Sequence, residues 1–160
     1  MRQRTLIRPA RTDEIEARQE IEVAAGRVFR TVGMDRVAGD EPLPAAVLLG
    51  YQADGRAWVA TGDDDRTVAY LIADWVDGIV HVEQVSVHPD HAGQAIGAAL
   101  IEHVAHWARA HGSPALTLTT FADVAWNAPY YERLGFRRLP AAELTPGLIA
   151  IRVEEAAHGL

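Results

Sequence analysis

The chain of 160 residues contains no cysteine and no lysine. Without cysteine there is no disulfide framework, no cysteine-based zinc site and no thiol nucleophile. Without lysine all fifteen basic residues are arginine, which points to biased base composition rather than to a function. Long apolar runs are missing too. None approaches the roughly 18 residues needed to cross a bilayer, and the start, MRQRTLIRP, has no apolar stretch of signal-peptide length. The expected compartment is the cytoplasm, with no membrane partner. Positive charge is also scarce. A net charge of -7 disfavours nucleic acid, because Lys and Arg neutralising phosphate supply most non-specific binding. The same charge suits a small cationic substrate or serves solubility alone.

What is present is ordinary for a globular chain, with 49% hydrophobic and 23% charged residues. Its length is that of one domain, 1–160, large enough to bury about two-thirds of its unfolded surface, with a frayed tail over 154–160. Thr5 to Arg8 reads as a first strand ended by Pro9. Thr12 is a candidate N-cap for a helix whose apolar face carries Ile21, Ala24, Ala25, Val28 and Phe29. Thr31 to Pro44 reads as a connector able to shape a pocket, and Pro44 opens a short helix that Gly50 ends. Arg56–Thr61, Thr67–Val76 and the strand from Ile79 form an antiparallel meander, with Asp77-Gly78 as a two-residue hairpin turn.

After that last strand, His88-Pro89-Asp90 stops the β run. A small-residue loop, Ala92 to Gly97, leads into a helix with its stripe at Gly97, Leu100, Ile101, Val104, Trp107 and Ala108. A strand, a tight loop and a helix amino terminus turn free backbone amides toward an anion such as phosphate. Neither the P-loop nor the GxGxxG fingerprint is matched. The helix ends near His111-Gly112. Further strands are expected at Ala115–Thr120, Phe136–Leu139 and Leu148–Val153, with a short helix over 127–134 closed by Gly135. The order β-α-α-β-β-β-α-β-α-β-β predicts an α/β (α+β) fold: a mixed, mostly antiparallel sheet of six to seven strands with helices on both faces.

Two segments resemble the GNAT superfamily of acyl-CoA-dependent N-acetyltransferases. VEQVSVHPDHAGQAIGAALIEHVAHWA (82–108) is similar to the family's pyrophosphate-binding strand, loop and helix, and NAPYYERLGF (127–136) to its C-terminal tyrosine helix. Their order and flanking strands fit across nearly the whole chain. The loop departs from the family pattern Gln/Arg-x-x-Gly-x-Gly/Ala: Ala92 stands where Gln or Arg is usual and Ala95 replaces the first glycine, while Gly97 matches the last position. The methyl group of Ala95 leads to the expectation of a negative φ there.

The resemblance implies acetyl-CoA as co-substrate, no metal, and a cofactor site built from Val85, Ser86, Val87, Ala92, Gly93, Gln94, Ala95, Ile96, Gly97 and Ala98. Asn127 and Tyr131 join it from the tyrosine helix. Main-chain amides of Val85 and Val87 would face the acyl and pantetheine groups, with the strand near Leu118–Thr120 splayed away from them. Glu83 is the candidate base and Tyr131 the candidate acid. Seven histidines are scattered without metal-like spacing. The implied function is acetyl transfer to a small-molecule primary amine, with a homodimer as one implied assembly. The alternatives are a non-catalytic CoA-sensing domain, suggested by Ala92 and Ala95, and a protein or peptide N-acetyltransferase.

Overall fold

The computed structural model describes residues 6–30, 43–62, 64–91, 94–118, 135–137 and 139–157. In chain order these form β1 (Leu6–Pro9), α1 (Ile15–Arg30), α2 (Ala45–Ala53), β2 (Ala57–Thr61), β3 (Thr67–Val76) and β4 (Ile79–Val87). They continue with α3 (Ile96–Ala110), β5 (Leu116–Leu118) and α4 (Pro146–Ala157).

The strands lie in the order β1-β2-β3-β4-β5. The first three pairings are antiparallel and β4–β5 is parallel. This is the mixed, mostly antiparallel sheet expected from the sequence. The meander forms because the turn residues suit it: Asp77 and Gly78 take φ of 54° and 78°, the left-handed pair that a tight hairpin requires.

Period-two alternation divides the side chains between two cores. Leu71, Ala73, Val80 and Val82 meet Leu100, Ile101 and Val104 of α3 on one face. Val59, Tyr70 and Ile72 meet Ile21 of α1 and Leu48 of α2 on the other. Trp58 is buried in the first core, its ring 5.0 Å from that of Trp107 in an edge-on contact. Two helix ends are fixed by the same backbone motif. At α3 the Ser113 N–H reaches the Ala108 carbonyl at 2.9 Å, over Gly112 at φ 89°. The Ser113 hydroxyl then accepts the Val80 N–H at 3.0 Å, tying the helix end to the start of β4.

Several expectations are corrected. The helix opened by Pro44 does not stop at Gly50 but runs to Ala53. The left-handed residue that ends it is Gly55, and the Arg56 N–H bonds back to the Tyr51 carbonyl at 2.9 Å. Thr12 does not cap α1. It begins a 3-10 turn, Thr12–Glu14, and its hydroxyl accepts from Gln52. Leu148–Val153 is not a strand: it lies within α4, whose first turn is held by the Thr145 hydroxyl accepting the Leu148 N–H. Phe136, Arg137 and Leu139 lie outside any strand. The described sheet therefore has five strands, not six or seven. The expected helix over 127–134 and the residues Thr119 and Thr120 lie outside the described residues.

Candidate active site

The sheet is irregular at one point. Ile72 pairs with Gln84 but Ala73 pairs with Val82, so Glu83 is the extra residue of a β-bulge in β4. Beyond the bulge, the direction of the backbone amides follows from one hydrogen bond. The His88 N–H donates to the Val68 carbonyl on β3 at 2.9 Å. Strand amides alternate sides, so those of Ser86 and Gln84 also face β3, and those of Val85 and Val87 face the opposite edge. On that edge β5 pairs with β4 from Val80↔Leu116 to Val82↔Leu118, while β4 itself continues to Val87. The amide donors of Val85 and Val87 thus point to a side where no described residue of β5 stands opposite.

β4 then feeds the loop. Pro89–His91 makes a 3-10 turn, with the His91 N–H on the His88 carbonyl. Ala92 and Gly93 lie outside the described residues. Ala95 follows at φ 57°, ψ 26°, a left-handed conformation, which corrects the expectation of a negative φ. A left-handed residue followed by right-handed helix turns successive N–H groups into one concavity, an anion-binding nest. No side chain caps the helix, and its first backbone bond runs from the Ala99 N–H to the Ala95 carbonyl at 3.1 Å. The amides of Ile96, Gly97 and Ala98 precede that bond and are the donors an anion takes up at a helix start. Gln94 and Ala95 are exposed, so the concavity opens to solvent.

On the α1–α2 side of the sheet stands a group of polar side chains that the sequence does not announce. The Tyr51 hydroxyl donates to Asp74 Oδ2 at 2.9 Å. Arg56 Nη1 donates to Asp74 Oδ1 at 3.1 Å and to the Ala73 carbonyl, and the guanidinium lies 4.9 Å from the centre of the Tyr51 ring. Burial first, then the bond to Asp74 and the charges of Asp74 and Glu83, raise the Tyr51 phenol far above its ordinary value. A second set joins Tyr70, whose hydroxyl donates to Glu22 at 3.2 Å, to the main chain at Leu43, which also donates to Glu22 at 3.0 Å. Burial, with the Glu22 charge and hydrogen bond, pushes the Tyr70 phenol up as well. Buried His81 pairs with Thr117 across the β4–β5 join at 2.8 Å.

Of the residues expected from the sequence, the structure brings Val85, Ser86 and Val87 onto one strand with Glu83. It sets Gln94, Ala95, Ile96, Gly97 and Ala98 at the helix start that follows. Glu83 is exposed at the bulge, and Ser86 is buried, its hydroxyl accepting from the Gln84 amide at 3.2 Å. Asn127 and Tyr131 lie outside the described residues. Among the described residues no three His, Asp or Glu side chains converge as a metal site, and no helix is long and apolar enough to cross a membrane. Tyr51 carries one weak sequence signal, its spacing of three from Leu48 on a helix face. Asp74 and Arg56 carry none.

The model of the acetyltransferase (GNAT) family matches residues 27–136, more than half of the sequence, and the chain belongs to that family. Over 90 residues it is 32% identical to streptothricin acetyltransferase of Streptomyces lavendulae, a match covering 54% of this chain and 47% of that one. The chain thus spans about half the length of this curated relative. Its fold is similar to that of the ribosomal-protein-S18-alanine N-acetyltransferase of Escherichia coli, with a TM-score of 0.67, 22% identity, and coverage of 86% of this chain and 80% of the other. It is also similar to a GNAT family acetyltransferase of Brucella melitensis solved with acetyl-CoA, with a TM-score of 0.63, 22% identity and 84% coverage of each chain.

Proposed function

We propose that the protein is an N-acetyltransferase that moves an acetyl group from acetyl-CoA to a primary amine of a small molecule by direct attack. The observation that carries this reading is a pair of amide-donor sets on successive elements. One is the outward amides of Val85 and Val87 on β4, and the other is the left-handed nest at Ala95 with the uncapped first turn of α3. Such a pair suits a long ligand with an acyl carbonyl at one end and a diphosphate at the other. The residues fit acetyl-CoA on that ground, since the donors are main-chain amides and need no side chain at Ala92 or Ala95.

Acetyl-CoA supplies an activated acyl group. The chain supplies the rest. The β4 amides hold the acyl end where negative charge develops on oxygen. Glu83, at the bulge beside them, takes the proton of the acceptor's ammonium so that a neutral nitrogen attacks. Tyr131 gives a proton to the departing sulfur. A small, cationic acceptor accords with the acidic chain and with the relative that is a streptothricin acetyltransferase. The site works in the cytoplasm in this reading, as a monomer or a homodimer.

The test is thiol release from acetyl-CoA over a panel of amines: streptothricin, a polyamine, amino acids and an aminoglycoside. Turnover is expected with at least one. Glu83→Gln and Tyr131→Phe are expected to lower kcat by about a hundredfold or more, the range of a lost acid or base. Binding of CoA with no thiol release for any amine contradicts the enzymatic reading and leaves a CoA-binding domain.

A further inference from the structure

The acetyl-transfer reading explains Glu83 and the amide donors but makes no use of Tyr51, Asp74 and Arg56. Their arrangement is specific. Leu48, fully buried one turn before Tyr51, seats α2 on the sheet and brings the phenol over the end of β3. Its hydroxyl gives its proton to Asp74 at 2.9 Å, and Arg56 grips the other Asp74 oxygen at 3.1 Å while donating also to Asp54 at 2.8 Å. A phenol has a single proton. With that proton committed to a carboxylate, the oxygen can act toward any other group only as an acceptor.

The place of this oxygen matters. Asp74 follows Ala73, the residue opposite which Glu83 bulges. Burial and Asp74 chiefly push the phenol up, and the Glu83 charge adds to that in the same sense. An acceptor-only oxygen and the proposed base therefore neighbour one another at the one irregular point of β4. A primary ammonium offers three N–H donors, enough for a carboxylate and a phenol oxygen together.

We propose that the Tyr51 oxygen accepts a hydrogen bond from the acceptor's amine nitrogen and so holds it beside Glu83, with Asp74 and Arg56 as positioning residues that fix the phenol. This rests on the acetyl-transfer reading. It adds a substrate-binding residue and a requirement on the substrate: an amine able to donate two hydrogen bonds at once.

Tyr51→Phe removes the oxygen and keeps the ring over which Arg56 lies. With the panel amine of highest kcat/KM, the variant is expected to raise the KM for amine about tenfold or more, the loss of a hydrogen bond to a charged donor. The KM for acetyl-CoA should stay within about twofold, since that contact is not touched. Asp74→Asn, which keeps the shape and gives up the charge, should raise the amine KM in the same sense and leave the acetyl-CoA KM alone. A Tyr51→Phe protein with an unchanged amine KM overturns the inference. So does one in which both KM values rise together with a lowered melting temperature, the mark of a structural role. Full activity in Glu83→Gln beside a raised amine KM in Tyr51→Phe removes the base and keeps the Tyr51 contact. No turnover with any panel amine, CoA still bound, overturns the acetyl-transfer reading and this inference with it.

Discussion

Ala95→Gly is the substitution on which the loop's geometry turns. Three described residues other than glycine have positive φ: Asp65, Asp77 and Ala95. Aspartate takes that conformation with some ease because its short polar side chain bonds locally, but alanine does not. An alanine held left-handed costs about 1–2 kcal/mol through the contact of its Cβ with the following carbonyl. Replacing it with glycine removes that cost and adds about 0.4–1 kcal/mol of unfolded-chain entropy. The balance is a gain of about 0.5–1 kcal/mol, or roughly 1–4 °C in Tm for a chain of this size. Differential scanning calorimetry measures it directly. CoA affinity should hold or improve, because the nest is made of amides that glycine keeps and loses only a methyl group near the ligand. A loss of stability of about 0.5–1 kcal/mol, the usual result of glycine at a negative φ, would refute the left-handed assignment and with it the nest.

Two further predictions test other parts of the fold. A Cβ on Gly147 would stand 2.6 Å from Val76 Cγ1 and 2.8 Å from Asp77 Oδ2, so Gly147→Ala should cost about 1–3 kcal/mol by urea denaturation. A neutral result would contradict the close docking of the start of α4 on the β3–β4 turn. Glu14 is desolvated, which alone would raise its pKa, but bonds from Arg8, Thr67 and the Arg11 N–H outweigh this and hold it below its ordinary 4.5. Its stabilising contribution is therefore complete above that value and is lost as pH falls through the lower folded-state value. Glu14→Gln should flatten the fall in stability from about pH 5 downward, and equal slopes in the two proteins would contradict the assignment.

The meander and α3 were legible because their signals are local and mutually consistent. Asp77-Gly78 names its own turn, and the stripe from Leu100 to Ala108 names its own buried face. β4 and the start of α3 stood out through their likeness to a family, not through any property of Ala92 or Ala95. The conformation of Ala95 was not legible, because alanine's intrinsic preference opposes it and the surrounding strand and helix impose it. The C-terminal strand was misread for a different reason. Ile149, Ile151 and Val153 are β-branched strand formers, yet Thr145-Pro146 is a helix start signal, a hydroxyl cap followed by proline, and it outweighs them. Gly50 was read as a stop although the left-handed residue lies at Gly55, since a glycine's identity does not reveal its φ. The Tyr51–Asp74–Arg56 group joins residues from α2, β3 and the turn between α2 and β2, and only the fold brings them together.

The most direct measurement is backbone amide exchange by NMR, with and without CoA. The account predicts that CoA slows exchange at Val85, Val87, Ile96 and Gly97 and leaves the far strand, Leu6 to Arg8, unaffected. Exchange unchanged at those four amides under saturating CoA would contradict it.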